Sequence, residues 1–148
     1  MKLLLLSSTL WLLVLGLSSC KESDNISDPY FNHLKNVQWR LIAFDTLVGK
    51  TINLSSTDTI LLFLEETNVT SGKSHGECAN RYSGVYTFAG GNHIRFDILR
   101  STEAVCPNSR YWDFIDKLET VTSFSVSDSL LYLYYNANKQ KLLLTKTL

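Results

Sequence analysis

The chain predicts a mainly β (α+β) fold: a small antiparallel, barrel-like sheet with one helix between a central hairpin and a C-terminal meander. Three observations predict it. Apolar residues alternate with polar ones over several short segments, glycine- and asparagine-rich turns separate those segments, and a single stretch breaks the alternation with helical spacing.

The first strand opens at Val37, where Val37, Trp39, Leu41 and Ala43 are expected on one face and Gln38 and Arg40 on the other. Thr59 to Glu65 reads as a second strand, apolar on both faces. Tyr82 to Phe88 and His93 to Leu99 flank Ala89-Gly90-Gly91-Asn92, whose glycines tolerate positive φ, so they form a hairpin. Val121 to Val126, Leu130 to Tyr135 and Lys141 to Thr145 follow, joined across Ser127-Asp128 and Asn136-Ala137-Asn138, as a meander. Between hairpin and meander, Tyr111, Phe114 or Ile115, and Leu118 recur at the spacing of one helical face, with Asp113 and Lys117 four apart on the other. Asn108 or Ser109 is placed to cap that helix.

Ahead of the domain lies a leader. Met1-Lys2 is basic, Leu3 to Leu17 is a nearly unbroken apolar run, and Ser18-Ser19 are small. That order is the one a signal peptidase reads, and about 15 apolar residues are too few to span a bilayer core comfortably. Leu17-Ser18-Ser19-Cys20 resembles the bacterial lipobox, in which the cysteine thiol takes up diacylglycerol before cleavage. Residues 1–19 are therefore expected to be a lipoprotein signal peptide, 20–35 a lipidated N-terminus and flexible tether, and 36–148 the folded domain. The tether, polar and acidic from Lys21 to Pro29, would let the domain stand up to roughly 40 Å off the membrane. Lysine directly after Cys20 resembles an outer-membrane sorting signal, and the acidic residues behind it resemble the surface-export signals of some Bacteroidetes lipoproteins.

Of the 148 residues, 14 are basic and 14 acidic; removing the leader takes away one lysine and leaves the mature chain near neutral. No basic stripe calls for a nucleic-acid partner. With Cys20 assigned to lipid, Cys78 and Cys106 remain as an even pair in an exported chain, and a disulfide is the natural reading, two free buried thiols the alternative. Closing a loop of about 29 residues would stabilise the domain by roughly 3.6 kcal/mol in the chain-entropy model.

Gly76-Glu77-Cys78-Ala79-Asn80-Arg81-Tyr82-Ser83-Gly84-Val85-Tyr86 resembles the glycine, cysteine, asparagine, aromatic, glycine, aromatic signature of the META domain, the domain of HslJ-like bacterial lipoproteins. Thr102-Glu103-Ala104-Val105-Cys106-Pro107 resembles that family's threonine-to-cysteine motif before the helix. Trp39-Arg40-Leu41 and Leu130-Leu131-Tyr132-Leu133 resemble its opening and late strands. Two departures stand out: Ala79 separates Cys78 from Asn80, where a bulge is expected, and Ala104-Val105 replaces the usual methionine. The resemblance implies a barrel-like fold with one helix and a link to envelope stress and antibiotic tolerance. Read physically, Gly76, Asn80 and Gly84 shape a turn that Cys78 would clip to the start of the helix, a structural role.

Sharper chemistry finds less support. Gly72-Lys73-Ser74-His75-Gly76 fits the G-x-S-x-G pattern of a nucleophile elbow, yet it falls in what reads as a glycine-rich loop, with only His93 and Glu77 to complete a triad. His75, Glu77 and Cys78 are close in sequence but lack the paired spacing of a closed zinc site. His33, His93 and the Glu65-Glu66 pair read as solvated surface. The expectation is a non-enzymatic envelope lipoprotein with no cofactor and no metal, anchored through Cys20, that binds an envelope protein or supports the envelope under stress. The alternative is a small-molecule-binding or inhibitor-type β-barrel lipoprotein whose aromatic residues line a cavity.

Overall fold

The computed structural model describes residues 29–55, 58–65, 67, 69–75, 80–102 and 110–147. In chain order these form α1 (Pro29–Asn32), β1 (Gln38–Asp45), β2 (Thr51–Asn53), β3 (Thr59–Leu64), β4 (Val69–His75), β5 (Arg81–Phe88), β6 (Ile94–Ser101), α2 (Tyr111–Leu118), β7 (Ser123–Ser127), β8 (Leu130–Tyr135) and β9 (Gln140–Lys146). Every strand pairing is antiparallel, in the order β6-β5-β4-β3-β1-β9-β8-β7, with β2 paired to the end of β1.

The sheet curls but does not close into a barrel. Its outer strands meet at one place, where His93 bridges Ser123, Ile94 N–H donates to Thr122 O at 3.3 Å and Phe124 N–H donates to Asn92 O at 2.9 Å. Two plugs then fill the ends. At one end α2 turns Tyr111, Phe114, Ile115 and Leu118 inward, with the Tyr82 ring 5.8 Å from that of Phe114 and Lys117 Nζ 4.7 Å from the centre of the Phe44 ring. Asp113 sits between Arg110 (3.2 Å) and Lys117 (4.0 Å) on the outer side. The cap differs from expectation: Arg110 occupies the N-cap position without a side-chain hydrogen bond, and Asn108 and Ser109 lie outside the described residues.

At the other end the plug comes from residues read as tether. Phe31 stacks on Phe88 with ring centres 4.4 Å apart, Leu34 is fully buried, Trp39 Nε1 donates to Leu34 O at 3.3 Å, and Asn36 N–H donates to Leu64 O at 2.8 Å. Phe31 and Leu34, which lie in the stretch expected to be tether, thus pack against the sheet.

Two further readings are corrected. Ala43 does not share the Trp39 face: the β1–β9 register shifts between Leu41 and Ala43, a bulge that re-phases the strand, so that Phe44 joins the core and Ala43 is buried outside it. The glycine-rich segment 72–76 is not a loop in its described part, because β4 runs through His75 between β3 and β5, with Gly72 opposite Leu62 on one side and Tyr82 on the other. The turns conform to expectation: Gly90, Gly91, Asp128, Asn136, Ala137 and Asn138 all have positive φ.

Candidate functional site

The strand directions gather both signature segments at the α2 end of the sheet, because β5 starts there and β6 finishes there. Asn80, immediately before β5, is fully buried and accepts a hydrogen bond from Thr102 Oγ1 at 3.1 Å. Thr102 Oγ1 in turn accepts from Arg81 N–H at 2.9 Å, and Thr102 N–H donates to Arg81 O at 2.9 Å. The two segments are therefore stapled to each other by one side-chain pair and by two hydrogen bonds to the Arg81 backbone. Gly76, Cys78, Ala79 and Cys106 lie outside the described residues.

The aromatic signature residues extend this frame inward. Tyr82 donates to Leu61 O at 2.9 Å and Tyr86 to Glu65 O, while the Tyr111 and Ser101 hydroxyls share a hydrogen bond of 2.7 Å. Each ring thus fills the core while its hydroxyl ties β5 or α2 to another element. Gly84 permits β6 to approach where the β5–β6 register shifts between Ser83 and Gly84.

Among the described residues every buried side-chain nitrogen or oxygen has a hydrogen-bond partner, and no three His, Cys, Asp or Glu side chains cluster as metal ligands would. Satisfied groups of this kind rigidify a fold. Ser74 and His75 lie on the antiparallel strand β4, opposite Ile60 and Thr59, whereas a nucleophile elbow places its serine at a strand-to-helix turn. His33 and His93 are exposed, and Glu65 is half-buried after β3. Sequence reasoning singled out Asn80 and Thr102 but not their partnership. The signal available was that each of the two motif segments carries one polar residue close to its cysteine.

A family model for the META domain matches residues 32–147. The chain belongs to the META domain family. The described META fold resembles the NMR structure of a protein from Burkholderia xenovorans, at 21% identity, covering 78% of this chain and 85% of that one, with a TM-score of 0.62. It also resembles the crystal structure of a DUF4847 family protein from Bacteroides vulgatus, at 10% identity, covering 77% and 94%, with a TM-score of 0.56. At these identities the likeness concerns the fold alone. No curated protein matches the META chain.

Burial acts on the tyrosines of this META domain in one direction. It pushes the Tyr82 phenol well above its ordinary range, with Tyr111 adding to the effect. It raises Tyr111 against a smaller lowering by the Ser101 hydrogen bond, and together with the Asp45 carboxylate it pushes Tyr135 up to about 12. The unfolded chain ionises these phenols near pH 10, so their contribution to stability is complete below that pH and is lost as pH rises through the folded values. Denaturant midpoints should hold between pH 8 and 9.5 and fall steadily from about pH 10 to 12. The Tyr135→Phe variant should show a shallower fall, and an identical slope would refute the assignment.

Asn80→Ala removes the acceptor of Thr102 Oγ1 and leaves a cavity in its place. Deleting a buried hydrogen-bonding partner costs about 1–3 kcal/mol, and thermal denaturation should report that loss. Asn80→Asp, which keeps an acceptor, gives the comparison for the bond itself.

Proposed function

We propose that the chain is a lipid-anchored protein of the bacterial cell envelope, cleaved before Cys20, that is not an enzyme and binds another envelope protein through its α2 end. The observation that carries the anchor is Leu17-Ser18-Ser19-Cys20 behind a short apolar leader. Lys21 favours the outer membrane, on its periplasmic or surface face. Because α1 is part of the domain, the tether is residues 20–28, which reach about 30 Å when extended. The chain enters the fold at the α1 end, so the α2 end is the one held away from the lipid.

The α2 end also carries Leu47, Val48 and Trp112, the most exposed large apolar groups among the described residues. Leu47 and Val48, at the tip of the β1–β2 hairpin, are 85% and 88% exposed, and Trp112 on the outer side of α2 is 38% exposed. The base of that hairpin is held by Tyr135 donating to Asp45 O, Gln140 Nε2 donating to Thr46 O, and Thr51 Oγ1 donating to Asp45 Oδ1 at 2.7 Å. A rigid base presenting apolar tips fits a protein partner, whose interfaces favour aromatic and aliphatic anchors. The ligand-binding barrel has no support from the interior, where Trp39, Tyr86, Phe114 and Phe124 fill the space that a ligand would need.

Within an oxidising envelope Cys78 and Cys106 form a disulfide in this reading. The hydrogen bond from Thr102 to Asn80, which lie four and two residues from Cys106 and Cys78 in sequence, supports the pairing. Cys20→Ala should release the protein from membranes or leave uncleaved precursor, and the wild-type protein should show no alkylatable thiol at positions 78 and 106 before reduction. A membrane-bound, normally processed Cys20→Ala protein would overturn the anchor. Crosslinking in intact cells should capture a partner that Leu47→Asp with Val48→Asp loses.

A further inference from the structure

The β5–β6 hairpin carries, on its outer side, a cleft of about 330 Å³ lined by Thr87, Ala89, His93, Ile94, Arg95 and Thr122. Its position follows from the topology. Thr87 and Arg95 are partners in the β5–β6 register and so share a face, while Thr122 arrives from beyond α2 where the two edges of the sheet meet. The walls are fixed by backbone hydrogen bonds: Ala89 N–H donates to His93 O and His93 N–H to Gly90 O, both at 3.1 Å. Thr122 is held on both sides, its N–H donating to Tyr134 O at 2.9 Å and its carbonyl accepting from Ile94 N–H.

The polar groups on this cleft are a guanidinium, an imidazole and two hydroxyls, with no carboxylate among them. Among the described residues the Arg95 guanidinium and the His93 ring have neither an ion-pair nor a hydrogen-bond partner. Asp97, the next acid along the same side of β6, forms no ion pair with Arg95. A cation left unpaired at a preformed concavity holds donor capacity for an anion, and a guanidinium presents a planar fork that matches oxyanions. Donors from two strands and a third segment suit the tetrahedral oxygens of a phosphate, where a flat carboxylate would meet only one edge of the set.

We propose that this cleft binds a phosphate group, with Arg95 as the principal donor and His93, Thr87 and Thr122 completing its shell. Two sources share that chemistry: free phosphate or a phosphorylated metabolite, and the headgroup of a phospholipid. The second rests on the lipid-anchor reading. The cleft lies at the α1 end, since Phe88, between Thr87 and Ala89, stacks on Phe31, so it is on the anchored side of the domain.

The test titrates the mature lipidated chain in detergent with inorganic phosphate, and separately with a short-chain phosphatidylglycerol below its micelle concentration, by calorimetry and amide chemical shifts. Saturable binding that moves Thr87, Arg95 and Thr122, and that Arg95→Ala weakens about tenfold or more, is expected, because a hydrogen bond to a charged group carries that much. Arg100→Ala, at the far end of the same strand, should leave it unchanged. Binding of phosphate and phospholipid alike identifies a free-phosphate site; binding of the phospholipid alone identifies the headgroup. Absence of saturable binding in both arms overturns the proposal, as does equal weakening by Arg95→Ala and Arg100→Ala. Native protein that mass measurement shows to carry no acyl chain but that still binds phosphate overturns the anchor and keeps the site, so the two readings fail separately.

Discussion

Gly84→Ala should lower the thermal midpoint by on the order of 10 °C, although it adds a single methyl group to a strand whose backbone angle any residue can adopt. A Cβ at position 84 would stand 2.1 Å from Asp97 O, 2.9 Å from Ile98 Cα and 3.0 Å from Asp97 C. All three are backbone atoms, so no rotamer change relieves the contact. The β5–β6 register shift, in which Ser83 pairs with Arg100 but Gly84 with Ile98, draws the β6 backbone over that position. Overpacking costs about 1–3 kcal/mol or more, and for a domain of this size each kcal/mol moves the midpoint by about 4 °C. Gly84→Val should be worse still. Gly91→Ala supplies the contrast, because position 91 has positive φ but open space, and its cost should stay near the 1–2 kcal/mol of left-handed strain. A Gly84→Ala protein with an unchanged midpoint would mean that the two strands do not approach as described.

Phe31→Ala should cost about 3–5 kcal/mol, the usual loss for a buried phenylalanine, in a stretch that reads from sequence as linker. The Phe31 ring lies parallel to Phe88, 15° between planes, and tilts against Tyr86 at 5.7 Å, so truncation opens a cavity at the end of the sheet. A chain starting at residue 36 should lose at least as much, since it also lacks Leu34, whose carbonyl accepts the Trp39 indole hydrogen bond. Urea denaturation of the three proteins provides the measurement. Equal midpoints for the full domain and the shortened one would place residues 29–35 back in the tether.

How far the fold could be read from sequence varied by element, for physical reasons. β8 was legible because Leu130 to Tyr135 is a short apolar run bounded by the turns at Ser127-Asp128 and Asn136-Ala137-Asn138, while which of its faces is buried was decided by its neighbours. The helix was legible from its period of 3.6, through Tyr111, Phe114, Ile115 and Leu118. β4 was not, because Val-Thr-Ser-Gly-Lys-Ser-His has no alternation, and its strand state comes from β3 and β5 on either side. β2, three residues long, exists only because the end of β1 offers it an edge. The candidate sites divide the same way. Asn80 and Thr102 were visible as motif residues, but a hydrogen bond across 22 positions cannot be read from spacing. That His93 and Arg95 share a face follows from period two; Thr122 beside them does not.

By itself the sequence determined most of the parts: the strands that alternate or lie between clear turns, the helix after them, and turns built from residues that accept positive φ. Each depends on chemistry within a few neighbouring residues. The tertiary structure alone decided that Phe31 belongs to the core, that Phe44 rather than Ala43 faces it, that Gly84 must be glycine, and that Thr122 meets Arg95 at a cleft. Those outcomes depend on which backbones come to lie side by side. Long-range strand pairing settles that, and residue spacing along the chain does not encode it.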